Sequence, residues 1–164
     1  MKDGQPRFFG PLLNALDNLV GRAVIRLVSA AGPTQQLQAE LSAGEMKNDL
    51  DLLEGYGFTA QPLPGAIAVC LFVGGERENG AAILAHDQAK RPRTLAPGDV
   101  ALYTDQDDPA AAAPDAQHRL HFGRDRSVIL RAKRLDIQCG NQRLILDETE
   151  GLRVQASQIR FEEL

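Results

Sequence analysis

Three histidines, two cysteines and scattered carboxylates are the side chains of this sequence with the chemistry to act on a substrate or a metal. His118 and His121 stand in His-Arg-Leu-His, a segment with a strand-like pattern. Side chains alternate along a strand, so these two rings point to opposite faces and joint ligation of one metal is not expected. His86 closes another strand pattern beside Asp87. Cys70 and Cys139 lie far apart, each within an apolar pattern, and read as small buried hydrophobes rather than as a disulfide. No serine sits in a Gly-x-Ser-x-Gly context, and Gly74, Gly75 and Gly80 neither match a phosphate-cradling fingerprint nor precede a helix. Glu162-Glu163 lies at the terminus, while Asp105, Asp107 and Asp108 fall in a spacer. The expectation is a chain without catalytic residues, cofactor or metal, and therefore not an enzyme.

Composition narrows the field further. The 164 residues suit one domain with an extension or two small modules. A net charge of −4 argues against general nucleic-acid binding, which needs a concentrated basic surface. The runs Lys90-Arg91-Pro92-Arg93 and Arg131-Ala132-Lys133-Arg134 read as solvated edges. Aromatics make up 5% and tryptophan is absent, which leaves little for a large aromatic-lined binding face. No run approaches the roughly 20 apolar residues of a membrane-spanning helix, and the start lacks the pattern of a signal peptide. The chain is expected to be made and kept in the cytoplasm unless a larger assembly exports it.

The elements are organised around residues 55–87. Pro62, Pro64 and Gly65 introduce the apolar run Ala66–Val73, Gly74-Gly75 ends it, and Gly80 opens a return strand, giving a hairpin with a charged tip. Upstream, Leu12, Leu13, Leu16, Leu19 and Val20 share one helical face, which predicts a short amphipathic helix over about 11–20 ending at Gly21. From Arg22 the period becomes two. Ala23, Ile25 and Leu27 predict one buried face of a strand, and Leu37, Ala39 and Leu41 that of its return partner. The segment from Met46 to Leu53 is ambiguous, because Met46, Leu50 and Leu53 also fit a helical turn. Together these elements predict a five- or six-strand antiparallel unit, a small barrel of the oligonucleotide/oligosaccharide-binding (OB) type.

The last third has another rhythm. Leu120 and Phe122; Val128, Leu130 and Ala132; Leu135, Ile137 and Cys139; Leu144 and Leu146; Leu152, Val154 and Ala156; and Ile159 and Phe161 predict six short strands with one apolar face each. Residues 105–117, rich in Ala, Asp and Pro, predict an exposed spacer. So narrow a ribbon buries its apolar face poorly by itself. Either it packs as a plain antiparallel sheet on the barrel, or several copies wind around a shared axis. On the residues alone the two arrangements stand level.

The wording of the central stretch is distinctive. Tyr56-Gly57-Phe58-Thr59, Pro62-Leu63-Pro64-Gly65, Leu71-Phe72-Val73-Gly74-Gly75-Glu76-Arg77 and, downstream, Gly98-Asp99-Val100-Ala101-Leu102-Tyr103 resemble the baseplate spike proteins of Mu-like contractile-tailed phages. The similarity is strongest from about Val20 to Asp105.

That resemblance implies an all-β homotrimer: an N-terminal arm and short helix (1–21), an OB-fold barrel (22–93) and an intertwined trimeric β-helix stalk (94–164). The core of the stalk would then be Val128, Leu130, Leu135, Ile137, Leu144, Leu146, Leu152, Val154, Ile159 and Phe161. The implied role is a structural spike or hub that closes the tail tube and pierces the host outer membrane on contraction. Implied partners are tail tube, hub and baseplate wedge proteins, with transient contact with the outer membrane and no specific nucleic acid. The location is the virion baseplate, or a phage-tail-like particle such as a bacteriocin, assembled in the host cytoplasm. Spikes of this kind often end in a His-x-His segment holding iron between three chains, and this sequence contains none. Its tip is therefore truncated, supplied by a separate tip protein, or without metal. The alternative is a monomeric binding module whose barrel holds an oligosaccharide or single-stranded nucleic acid, for which Tyr56, Phe58, Phe72 and Tyr103 are the available aromatics.

Overall fold

The structure is a computed structural model that describes residues 13, 16–107, 110 and 116–159, the side chain of Ala43 aside. Two compact units divide the chain, one up to Gln88 and the other from Ala89.

The first unit is a closed five-strand barrel. Its strands are β1 (Val20–Ser29), β2 (Gln35–Glu40), β3 (Met46–Leu52), β4 (Ile67–Phe72) and β5 (Gly80–His86), joined in the order β1-β2-β3-β5-β4. The predicted hairpin is β4–β5, antiparallel from Ile67 opposite His86 to Phe72 opposite Gly80. The expectation of a wholly antiparallel unit is corrected at one seam: β3 and β5 pair in parallel, Asp51 opposite Ala81 and Leu52 opposite Ala82. That seam closes the barrel and leaves no unpaired edge.

Ala23, Ile25, Leu37, Ala39, Leu41, Leu50, Leu52, Ala66, Ala68, Cys70, Phe72 and Ala82 fill the interior. Small residues prevail because a five-strand barrel is narrow and one aromatic ring takes much of its space. That ring is Phe72. A Cβ on Gly80 would fall 2.6 Å from it, and one on Gly21 would fall 3.1 Å from it and 3.0 Å from Leu41. Both strand glycines therefore mark close approach. The expected helix end at Gly21 is corrected accordingly, since Val20 and Gly21 already belong to β1, opposite Leu71 and Cys70. Of the expected helix, Leu13, Leu16 and Asp17 are helical, and its remaining residues up to Ala15 fall largely outside the described ones.

Two bulges break the alternation. One lies between Ile25 and Leu27, so Leu27 is exposed and Val28 packs on the core, the reverse of the expected phase. The other sets Leu37 opposite Leu50 but Ala39 opposite Lys47, with Asp49 in the left-handed region at φ 58°. The extra residues stretch the Met46-to-Leu50 spacing, which is why a strand there has the look of a helical turn.

The second unit holds two three-stranded antiparallel sheets. One is β6 (Val100–Tyr103), β7 (Arg119–Phe122) and β8 (Val128–Arg131); the other is β9 (Arg134–Cys139), β10 (Gln142–Asp147) and β11 (Gly151–Gln155). β9 and β10 are joined by two residues, with Gly140 at φ 58° as so tight a hairpin requires. Of the sixth predicted strand, Ile159 is exposed outside any strand, and Phe161 lies outside the described residues.

Candidate functional site: uncovered apolar faces

The register of each small sheet places six apolar side chains on one face. Across β9–β11 the rows are Leu135–Leu146–Leu152 and Ile137–Leu144–Val154. Across β6–β8 they are Val100–Phe122–Val128 and Leu102–Leu120–Leu130. Members of a row are directly opposed and the rows are two residues apart, so each set of six is one continuous patch. Within one chain these faces stay open. Val128 and Leu152 are each 64% exposed, and Leu144, Leu135 and Leu120 are only partly covered. An open cleft of about 300 Å³ is lined by Leu130 of one patch and by Leu135 and Leu146 of the other, with Lys133, Asp147 and Glu148 at its rim. It joins the two patches.

Eight of the ten residues expected to form a shared core therefore lie on these faces: Val128, Leu130, Leu135, Ile137, Leu144, Leu146, Leu152 and Val154. Ile159 does not join them, and Phe161 lies outside the described residues. Four others do, namely Val100, Leu102, Leu120 and Phe122; the alternation of Leu120 and Phe122 was legible, but the pairing of β6 with β7 across the intervening loop was not. Cys139, expected to be buried, is exposed at the end of the same face, opposite Gln142. Cys70 is enclosed in the barrel, where burial pushes its thiol pKa up.

The reverse face of β9–β11 is ionic. Arg143 donates from Nε to Asp136 Oδ1 at 2.7 Å, with a second contact from Nη2 to Oδ2. Arg134 lies 3.5 Å from both Asp136 and Asp147. The Arg143 hydrogen bond holds the Asp136 carboxyl below its ordinary pKa. Ile145, between Asp136 and Arg153 in the register, is 8% exposed amid these long side chains.

Aspartates pin the turns. Asp147 Oδ1 accepts from Thr149 N at 3.0 Å, Thr149 Oγ1 at 2.7 Å and Glu150 N at 3.2 Å, which lowers its pKa to about 2. Asp125 Oδ1 accepts from Ser127 Oγ at 2.6 Å and Ser127 N at 2.9 Å, and is lowered by the same means. Asp99 Oδ2 lies 3.0 Å from His121 Nε2, the contact that lowers its pKa most, and Asp99 also accepts from the backbone of Ala96 and Arg124.

The histidines are thus dispersed. His121 faces Asp99, His118 Nδ1 lies 2.7 Å from Thr104 Oγ1, and His86 ends β5. No three His, Cys, Asp or Glu side chains are grouped for a metal among the described residues.

Asp107, read as part of an exposed spacer, is corrected: it is buried. Arg119 Nη2 donates to its Oδ1 at 2.9 Å, and Arg119 Nε approaches Oδ2 at 2.7 Å at an angle poor for a hydrogen bond. Arg119 Nη1 also donates to Thr94 Oγ1 at 3.1 Å. Residues 108, 109 and 111–115 of that spacer, like Glu162-Glu163, lie outside the described residues.

In the barrel, the Gly-Gly-Glu-Arg motif has a mechanical part. Arg77 donates from Nε and Nη2 to Asn18 Oδ1 at 3.2 and 2.9 Å and from Nη1 to Glu45 Oε2 at 2.5 Å, and its guanidinium sits 5.8 Å from the centre of the Phe72 ring. One side chain ties the β4–β5 tip to the segments before β1 and β3.

Residues 22–89, which contain the barrel strands from the third residue of β1 onward, match the family described as Bacteriophage Mu Gp45, N-terminal. The chain is 31% identical over 156 residues to the Mu-like prophage FluMu protein gp45 of Haemophilus influenzae, covering 95% of this chain and 74% of that protein. The chain belongs to the Mu gp45 family. It is also 29% identical over 131 residues to the baseplate puncturing device gp45 of Escherichia phage Mu, covering 80% of this chain. The match spans 61% of the length of that phage protein. Among the helices of the described residues none is long and apolar enough to cross a membrane.

Proposed function

We propose that this chain is a baseplate spike protein that works as a homotrimer, with an OB-type barrel followed in sequence by C-terminal sheets that wind with those of two other copies into a β-helix stalk. The observation that carries this reading is the pair of six-residue apolar faces left uncovered in one chain. A half-exposed Leu, Ile or Val gains about 1 kcal/mol when it is covered, so these eleven aliphatic side chains and Phe122, some of them less exposed, supply on the order of 10 kcal/mol per chain to association. The back of β9–β11 bears ion pairs suited to solvent. Three identical ribbons related by a threefold axis would each turn the apolar side inward.

The work of such a trimer is mechanical rather than enzymatic. It would close the tail tube at the baseplate and pass contraction force to a narrow stalk that pierces the host outer membrane. Its partners are the tube, hub and wedge proteins of the baseplate, and its location is the virion tail or a phage-tail-like particle. The name of the phage Mu relative, a puncturing device, supports this reading.

The test is the absolute mass of the purified chain by light scattering behind a sizing column, followed by mild oxidation. Three copies are expected, and Cys139, exposed at the end of the apolar face, should link two of every three chains. A stable monomer at all concentrations overturns the trimer.

A further inference from the structure

We propose that residues 1–12 lie across the outer wall of this chain's own barrel and cover an apolar face that β1, β4 and β5 leave open. The register sets Val20 opposite Leu71 and Leu71 opposite Ala81; in the next outward row Arg22 stands opposite Val69 and Val69 opposite Leu84. The residues that alternate with these, among them Ala23, Cys70 and Ala82, point inward and fill the barrel. All the outward members of the two rows except Arg22 are apolar, and Val20, Leu71 and Leu84 are 59%, 40% and 58% exposed. The interior is already packed, so this wall adds nothing to the barrel's own core.

The occupant follows from where the chain enters the barrel. β1 begins at Val20, itself a member of the wall, and the residues just before it are fixed. Phe72 N donates to Leu19 O at 2.8 Å, and Arg77 donates to Asn18 Oδ1 from Nε and Nη2. Residues 1–12 lie outside the described residues, and the segment they belong to is thus rooted at one end of the open face. A dozen extended residues reach up to about 40 Å, whereas three strands are about 10 Å across. Length is ample.

The chemistry of the segment matches the wall. Phe8-Phe9-Gly10-Pro11-Leu12-Leu13 carries no charge, and its two adjacent rings bring a large apolar area in a chain poor in aromatics. Leu13 and Leu16, on the way to β1, are 51% and 54% exposed, so the same stretch has further apolar surface to bury. A second copy of the wall is the competing occupant. Two walls packed face to face would each enclose the Arg22 guanidinium without a counter-charge from these rows, whereas the segment carries Asp3. This inference does not rest on the trimer.

The experiment is photo-crosslinking in the full chain. Benzoylphenylalanine replaces either Leu84, on the wall, or Gln36, exposed on β2, and the captured peptide is mapped by mass spectrometry after illumination. Both positions face outward, so the larger side chain leaves the barrel intact. Position 84 is expected to capture residues 1–12 of its own chain about tenfold more than position 36 does, and Phe8→Ser with Phe9→Ser should cut that capture about tenfold. No capture of residues 1–12, equal capture at the two positions, or capture that survives the double change overturns the proposal. So does a product of twice the chain mass at position 84, which would assign the wall to a second copy.

Discussion

Leu135 of β9 stands directly opposite Leu146 of β10, and both line the cleft that Leu130 borders from the other sheet. This contact is where the two apolar patches of the C-terminal unit meet, so a charge placed there tests the shared-core reading at its centre. Leu146→Asp is expected to abolish trimer mass in light scattering while the barrel keeps its far-ultraviolet signature, and Ile137→Asp should act alike. The charge would cost little in an isolated chain, where Leu146 is partly exposed, and much in a dry interface. Wild-type trimer mass from either variant would end the idea of an intertwined core.

Gly80 and Phe72 compete for the same space in the barrel. Gly80→Ala should lower stability by about 1–3 kcal/mol, the usual cost of overpacking, because its Cβ would land 2.6 Å from the ring. Thermal unfolding measures this. Combining it with Phe72→Leu should be less than additive, since the smaller side chain frees the clashing volume.

The buried Arg119–Asp107 pair predicts an asymmetric response. Removing either partner alone leaves an enclosed charge and is expected to cost about 3–5 kcal/mol, whereas Asp107→Leu with Arg119→Met should cost distinctly less. Chemical denaturation followed in the C-terminal unit separates the three variants. A double change costing the sum of the two single changes would mean the charges do not depend on each other.

Acid should loosen the C-terminal turns. Asp147 titrates at about 2 in the folded chain, below the ordinary carboxylate value near 3.9, so its contribution is present above that ordinary value and is lost as pH falls through about 2. Asp99, Asp125 and Asp136 are shifted in the same direction and add to the same window. Unfolding midpoints should therefore fall between about pH 4 and pH 2, and Asp147→Ala should flatten part of that fall.

The expected antiparallel hairpins, the β4–β5 tip and five of the six C-terminal strands follow from local alternation. A strand's two faces are set by every second residue, which any reader of the chain can count. The motifs around Tyr56 and Glu76-Arg77 likewise point to the family directly. The rest depends on which strand lies beside which. The Ile25–Leu27 bulge reversed the phase of β1 only in its pairing with β2, and the parallel β3–β5 seam joins residues about 30 positions apart. Val100 and Leu102 joined the apolar face because β6 pairs with β7 across a loop that has no pattern of its own. Asp107 is buried because Arg119, twelve residues on, meets it there. The amino-acid order by itself settles the two-residue period and the surplus of apolar faces. The pairing partners, and hence which faces stay open to a neighbour, come from long-range hydrogen bonding that no local period encodes.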